Sequence, residues 1–170
     1  MKKVFLYGLF CILIAGCASS RMSTISTPII FDYKIETIAL SPSGGLLADA
    51  IGVELFNRGF NIVDTNSMSQ LMVRLNLSEL EITQPQNLKL LEEQGIDVYL
   101  SVKSVAAYDG LPQSASVRMN SARNGKVIGG VSWQNGWGGQ AGSIVDRAMR
   151  KDIAEAAIEI TEALVKQLRQ

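Results

Sequence analysis

The chain has 170 residues, balances 16 Lys and Arg against 16 Asp and Glu, and contains two Cys and no His. This length is typical of a single domain, and a hydrophobic content of 47% suffices for one packed core, so the composition argues against a disordered chain. Zero net charge gives no electrostatic signature of nucleic-acid binding, and the absence of His removes the commonest general base and metal ligand.

The first sixteen residues have the pattern of an export signal. Lys2 and Lys3 precede an apolar run from Val4 to Ala15. As a helix this run is about 20 Å long, which is shorter than the ~30 Å hydrocarbon core of a bilayer. We therefore expect residues 1–16 to be a signal peptide and not a membrane span.

The signal ends in Leu13-Ile14-Ala15-Gly16-Cys17, which resembles the lipobox of bacterial lipoproteins. In that group the Cys is acylated and becomes the first mature residue, so Cys17 is the predicted lipidation site. Several acyl chains anchor a protein stably without a membrane-spanning helix. By the sorting rules of enterobacterial lipoproteins, Ala18 in place of Asp implies the periplasmic side of the outer membrane. An ordinary secretory signal and an uncleaved anchor are the alternatives.

Ser and Thr are frequent directly after Cys17, and apolar residues are few until about Pro28. This composition is typical of a linker, so we predict a lipidated Cys and flexible tether over residues 17–30. The folded part then comprises residues 31–170, as a single domain without internal repeats.

Strands and helices are predicted to alternate in the first half of the folded part. In chain order the pattern predicts a strand at 35–40, a helix at 46–58, a strand at 60–64, and helices beginning at Asn66 and Gln84. Asn66 is the predicted N-cap of its helix. Gly59 lies where a left-handed C-cap residue belongs.

Three antiparallel strands are predicted in the second half. Ile96–Ala107 alternates apolar and polar side chains with a period of two, and so does Ser114–Ala122. Asn124-Gly125 is a strong hairpin signal, because a type I′ turn needs positive φ at both central residues. We therefore predict a hairpin that leads into a third strand at Val127–Gln134.

One long amphipathic helix is predicted at the C-terminus. Ser143 with Asp146 resembles a capping box at its start. Apolar side chains then recur with helical spacing, at Val145, Met149, Ile153, Ala156, Ile160, Leu164 and Leu168. The whole pattern predicts an α/β (α+β) fold, a single domain with a mixed, mostly antiparallel sheet, helices packed on it and a long C-terminal helix.

The residue types that most enzymes use are scarce. Without His, a Ser-His nucleophile and a Cys/His zinc site are excluded, and no Ser is followed three residues later by Lys. We therefore predict a protein that is not an enzyme, with no catalytic residue, no metal and no cofactor. The segment Ser41–Gly45 precedes a helix and is a candidate anion site, although it matches no phosphate-binding motif.

Residues 129–142 contain both tryptophans among many glycines. In one interpretation this segment is a binding lip, and Trp137 and Trp133 contact a protein partner, a glycan or the bilayer interface. In the other, Trp133 shares a strand face with Val127 and Val131 and packs in the core. The sequence leaves both interpretations open.

Three segments resemble the curli-secretion lipoprotein family (CsgG-like), namely Ile51–Asp64, Gln94–Val102 and Asn124–Ile128. A long C-terminal helix closes the pattern in both. The resemblance implies a periplasmic α/β domain related to envelope-assembly lipoproteins, among them activators of peptidoglycan synthases. The pore of that family needs additional long amphipathic hairpins, and no segment of this sequence supplies them, so a pore is not implied.

The predicted anchor and the missing catalytic groups together predict a non-enzymatic outer-membrane lipoprotein that acts as an envelope assembly or secretion accessory factor. The expected partners are the membrane, through the lipid on Cys17, and other envelope proteins. A homo-oligomer is compatible with the sequence, and nucleic acid is not an expected partner. The alternatives are a peptidoglycan- or glycan-binding module and a regulator of a cell-wall synthase.

Overall fold

The computed structural model describes residues 20–25, 33–136 and 142–169. In chain order its elements are β1 (Arg21–Ile25), β2 (Thr37–Leu40), a 3₁₀ turn (Pro42–Gly44), α1 (Gly45–Asn57), β3 (Asn61–Val63), α2 (Thr65–Leu75), α3 (Pro85–Glu92), β4 (Val98–Ala106), β5 (Pro112–Ser121), β6 (Val127–Gln134), α4 (Ile144–Met149) and α5 (Ile153–Leu168). The predicted α/β (α+β) class is confirmed.

The strands form one mixed sheet in the order β1-β6-β5-β4-β2-β3. β2 runs parallel to both β3 and β4, since α1 and then α2 and α3 provide the crossovers that parallel strands need. The pairs β4–β5, β5–β6 and β6–β1 are antiparallel.

Helices pack on both faces of the sheet. α1 and α5 cover one face, where the larger core includes Ile51, Leu55, Ile160 and Leu164. On the other face α2 and α3 bury a smaller cluster around Tyr99 of β4. Amphipathic periodicity explains the packing of α2, α3 and α5, which turn an apolar stripe toward the sheet, whereas α1 is apolar on its outer side as well.

The start of the sheet differs from the prediction. Residues Arg21–Ile25, which lie within the predicted flexible tether, form β1 and pair with β6 from Gln134 to Gly130. Their partners lie more than one hundred residues away in the chain, so the polar composition of the segment gave no local signal of the pairing. The rest of residues 17–30 lies outside the described residues.

Two helix ends test the predicted caps. Gly59 adopts a φ of +91°, which confirms the left-handed position after α1. The N-cap of α2 is Asp64, and the prediction of Asn66 is wrong. The Asp64 carboxylate accepts hydrogen bonds from the backbone N–H groups of Asn66 and Ser67, each at 2.9 Å. The bond from Ser67 lowers the pKa of Asp64 below its ordinary value.

The β5–β6 hairpin is confirmed, but its turn is not type I′. Gly125 has a φ of +68°, whereas Asn124 does not have a positive φ. The Asn124 side chain instead accepts a hydrogen bond from the backbone N–H of Lys126 at 3.0 Å, and Ser121 closes the wider turn by accepting from Gly125 N–H. Only Gly125 therefore needs the left-handed conformation.

The predicted long C-terminal helix is confirmed as α5, but it does not run unbroken from Ser143, because the chain breaks between α4 and α5. Ser143 caps α4 as predicted, by accepting from the N–H of Asp146 at 3.1 Å. A second start signal, a capping box of Asp152 and Glu155, begins α5. A residue distant in the sequence also stabilises the break, since the side chain of Asn135 binds both the N–H and the carbonyl oxygen of Lys151.

Candidate functional site

The chain enters the folded domain at a cluster of polar side chains at one end of the sheet. The Ser20 hydroxyl donates to Glu159 of α5 at 2.6 Å, and the indole N–H of Trp133 on β6 donates to the same carboxylate oxygen at 2.8 Å. The ammonium of Lys151 donates to the other oxygen of Glu159 and lies 3.3 Å from the Ser20 hydroxyl. We call Ser20, Trp133, Lys151 and Glu159 the entry cluster.

Three donors converge on one carboxylate in the entry cluster. Partial burial acts to raise the pKa of Glu159, but the hydrogen bonds from Lys151, Ser20 and Trp133 outweigh it and lower that pKa below its ordinary value. Glu159 is therefore ionised at neutral pH. Charge-assisted bonds of this kind fix the first residues of the domain against α5.

The entry cluster does not form a nucleophile, although it brings a Ser and a Lys together. Both Ser20 and Lys151 donate to the Glu159 carboxylate, so the ammonium is not positioned to remove the hydroxyl proton. Among the residues that the structure describes, no group of three or more Cys, Asp or Glu side chains could hold a metal ion.

A second polar network lies beside the entry cluster. Arg150, at the end of α4, contacts Asp146 at 2.7 Å and Asp109 of the β4–β5 turn at 3.0 Å. The hydrogen bond that Arg150 donates to Asp146 raises the pKa of Arg150, and the guanidinium lies 5.4 Å from the ring centre of Tyr108. Arg150, Asp146 and Tyr108 line a cavity of about 270 Å³ together with Asn135 and Gly136. The network ties α4 and the β4–β5 turn to the same end of the sheet.

A wide polar surface covers the part of the sheet that α2 and α3 leave uncovered. Residues that are paired across antiparallel strands point to the same face of the sheet. The pairing of β4, β5, β6 and β1 therefore places side chains of this surface in three rows across the four strands. The rows are Val105, Ser114, Gln134 and Arg21; Lys103, Ser116, Ser132 and Ser23; and Ser101, Arg118, Gly130 and Ile25. We call these residues the open sheet face.

The charge on the open sheet face has one sign. Its ionisable members are the cations Arg21, Lys103 and Arg118, which are exposed and form no ion pair with any described residue. Lys103 and Arg118 line a cavity of about 360 Å³ with Ser101, Ser116 and Asn120. Hydroxyl groups and exposed cations suit hydrogen bonding to carboxylates or to sugar hydroxyls.

The residues that the sequence predicts to bind a partner or a lipid have different outcomes in the structure. Trp133 is 1% exposed and packs in the core between β6 and α5, which agrees with the core interpretation and removes it from the binding lip. Trp137 and Cys17 lie outside the described residues, so their roles stay predictions. The sequence analysis did not predict the open sheet face. The alternation of Ser114, Ser116 and Arg118 with apolar residues on β5 is the pattern that indicates it.

The candidate anion site at Ser41–Gly45 is occupied by the protein's own side chains. The backbone N–H of Ser43 donates to the carboxylate of Glu79 at 3.3 Å, and its hydroxyl donates to the same oxygen. The Ser41 hydroxyl accepts from the N–H of Val102 at 2.9 Å. The segment therefore joins the 3₁₀ turn to neighbouring elements.

Within the described ranges, no helix combines the length and the apolar character needed to cross a bilayer. The chain matches no protein-family model, and no curated protein matches it.

Among solved structures, two crystals of a PelC dodecamer from Paraburkholderia phytofirmans, one of them a point variant, are similar to this chain. Both are 13% identical to this chain, with a TM-score of 0.49. The similarity covers 88% of this chain in each case, and it covers 98% of the point variant's chain and 97% of the other PelC chain. Lipoprotein GNA1162 from Neisseria meningitidis is 16% identical with a TM-score of 0.47, over 79% of this chain and 96% of that one. Identities this low transfer no function. The resemblance to curli-secretion lipoproteins is not shown by these matches and stays a prediction.

Proposed function

We propose that the protein is an outer-membrane lipoprotein, held on the periplasmic side by acyl chains on Cys17, that acts without catalysis as an envelope assembly or secretion accessory factor. The way in which the chain enters the domain carries this proposal. Ser20 follows Cys17 by three residues and is bonded to Glu159, and β1 begins at the next residue. A lipobox sequence thus continues into the folded domain with almost no linker.

Incorporation of labelled palmitate tests the anchor. The wild-type chain should carry the label and sediment with outer-membrane fractions, whereas Cys17→Ala should lose the label and appear in the soluble fraction. Cys11→Ala is the matched control, because Cys11 lies in the predicted signal peptide and its loss should change nothing. Unlabelled wild-type protein, or Cys17→Ala that stays firmly in the membrane fraction, would overturn the proposal.

The open sheet face is the surface that we assign to envelope protein partners. Its three exposed cations favour a partner that presents carboxylates, and charge complementarity of this kind steers association. A photocrosslinking residue in place of Ser116 should capture an envelope protein from living cells. The same residue in place of Gln94, an exposed position between α3 and β4 that is not part of the open sheet face, is the control and should capture much less.

A second candidate function is binding of peptidoglycan or another glycan. The serine hydroxyls of the open sheet face favour it, because hydroxyl groups can donate to and accept from sugar hydroxyls. In this version Trp137 stacks on a sugar ring. Sedimentation of the purified domain with isolated peptidoglycan, lost in Trp137→Ala, would support it. Capture of a cell-wall synthase by the Ser116 crosslinker would instead favour the regulatory alternative.

Homo-oligomerisation is part of the proposal and rests on α1. This helix is apolar on both sides, since Leu47, Ile51 and Leu55 face the core while Leu46, Val53 and Phe56 are exposed. Exposed apolar side chains gain free energy when a second chain covers them, and clusters of them mark interaction sites. The double variant Val53→Asp and Phe56→Asp should therefore lower the mass measured by light scattering. A wild-type monomer at all concentrations would remove this part of the proposal.

A further inference from the structure

Three exposed apolar side chains cluster near the point where the chain enters the domain. On α4, Ile144 is 87% exposed and Val145 is 59% exposed, and Tyr108 of the adjacent β4–β5 turn is 65% exposed. Ala148, one turn after Ile144, is exposed on the same side of α4. Single exposed apolar residues are ordinary on protein surfaces, so their location decides whether they matter.

That location lies close to the predicted anchor. Ser20 lies 3.3 Å from the Lys151 ammonium, and Lys151 follows the last residue of α4 by only two positions. Ser20 lies three positions after Cys17, and an extended chain of this length spans about 10 Å. Acyl chains on Cys17 would therefore enter the bilayer within about 10 Å of this end of the domain.

The elements that carry these side chains are firmly held. Arg150 joins α4 to the β4–β5 turn through Asp146 at 2.7 Å and Asp109 at 3.0 Å. Asn135 fixes the backbone after α4 by binding the N–H of Lys151 at 2.9 Å. Ile144, Val145 and Tyr108 thus keep a constant position relative to the entry point.

We infer that α4 and Tyr108 rest on the bilayer interface when Cys17 is acylated. This inference depends on the proposed lipid anchor. Once the acyl chains hold the domain at the surface, contact between α4 and lipid is an intramolecular step, so two aliphatic side chains leave water at little further entropic cost. A tyrosine ring and the exposed Arg147 suit the headgroup region, where amphipathic helices place aromatic and basic residues.

The seated orientation has a consequence for the open sheet face. β6 ends at Gln134 beside the entry cluster and begins at Val127, about 25 Å away along an extended strand. When the end of the domain that carries α4 rests on the bilayer, the strands run away from the membrane. The open sheet face then stands in the periplasm and is reached from the side.

Depth-dependent fluorescence quenching tests the inference on the acylated full chain. With Cys17 acylated and Cys11 removed with the signal, Ala148→Cys provides a single thiol for an environment-sensitive dye. In vesicles of phosphatidylethanolamine and phosphatidylglycerol, shallow spin-labelled lipids should quench this dye several-fold more than a dye at Lys126→Cys, the control at the far end. Adding Ile144→Ser and Val145→Ser to the Ala148→Cys chain should abolish the difference.

The possible outcomes separate the inference from the proposed function. If mass spectrometry finds no acyl group on Cys17, the anchor itself is wrong and the inference falls with it. If the protein is acylated and floats with the vesicles but the two dyes are quenched equally, the inference alone is overturned. A dye at position 148 that is shielded from aqueous iodide but unquenched by lipid also overturns it, because a protein surface would then cover α4.

Discussion

The two faces of the sheet are covered to different extents, and the difference divides stability from binding. On one face α1 and α5 bury residues from β2, β4, β5 and β6 in one continuous core. On the other, α2 and α3 cover Ala39 and Tyr99 but leave β5, β6 and β1 facing solvent. Core burial dominates folding energetics, whereas substitutions on an open surface cost little. The open sheet face is therefore free to evolve a binding function.

The largest expected effect comes from two neighbouring residues of β6 that point to opposite faces. Trp133 is buried against α5, whereas Ser132 lies on the open sheet face. Trp133→Ala should lower the free energy of unfolding by about 3–5 kcal/mol, because it removes a large core side chain and leaves a cavity. Ser132→Ala should change it by less than about 0.5 kcal/mol. Urea unfolding of both variants gives the comparison.

A loss of that size approaches the total stability of many domains, about 5–15 kcal/mol, so Trp133→Phe serves as a milder variant. It keeps much of the packing but removes the indole N–H that donates to Glu159 at 2.8 Å. We expect it to cost about 1–3 kcal/mol. Equal effects of Ser132→Ala and Trp133→Phe would contradict the division between the faces.

The next largest effect concerns the entry cluster, at the edge of the covered face. Glu159→Ala removes the acceptor of Ser20, Lys151 and Trp133, and it leaves the indole N–H and the ammonium without this partner. The expected cost is about 2–3 kcal/mol in urea unfolding. Glu162→Ala is the control, since Glu162 is exposed and its carboxylate makes a long contact of 3.9 Å with the Arg58 guanidinium. Such surface pairs contribute about 0–1 kcal/mol. A similar cost for both variants would show that the cluster adds nothing.

On the covered face, the sequence predicted the buried side chains wherever local periodicity determines the structure. The alternation of Ala115, Val117 and Met119 on β5 predicted which side chains are buried, and all three are. Helical spacing likewise predicted the buried stripe of α5 at Ile160 and Leu164. In both cases a side chain's direction follows from its position in one regular element, so no distant contact is needed to predict it.

Contacts between distant residues explain what the sequence reasoning missed. β1 depends on pairing with β6, and the break before α5 depends on Asn135, which lies sixteen positions before Lys151 and binds its backbone. The capping box of Asp152 and Glu155 was a local signal of the same break, but the continuous apolar stripe from Val145 onward favoured one helix. The open sheet face is likewise defined by which strands the helices leave uncovered, and that is a tertiary property.

Acid should weaken the covered face through Glu159. Its pKa is lowered in the folded state, so its contribution to stability is complete above the unfolded-state pKa of about 4.3 and is lost as the pH falls through the lower folded-state value. Glu159→Gln does not titrate, so the difference in unfolding free energy between wild type and variant should shrink on acidification from pH 7 to pH 3. Denaturant melts at several pH values measure it. A difference that is constant with pH would contradict the assigned pKa direction.

The smallest effect on stability, and the sharpest on binding, is expected on the open sheet face. Lys103→Ser and Arg118→Ser remove two exposed cations that form no ion pair with any described residue, so unfolding should change by less than about 0.5 kcal/mol. If this face binds an acidic partner, the same double variant should markedly reduce the yield of the Ser116 crosslink, and added salt should reduce the wild-type yield in the same way. Lys126→Ser, which removes an exposed cation from the β5–β6 turn, is the control and should leave the yield unchanged. A crosslink that survives loss of both cations would assign recognition to the serine hydroxyls, whereas a large loss of stability would show that the open face also supports the fold.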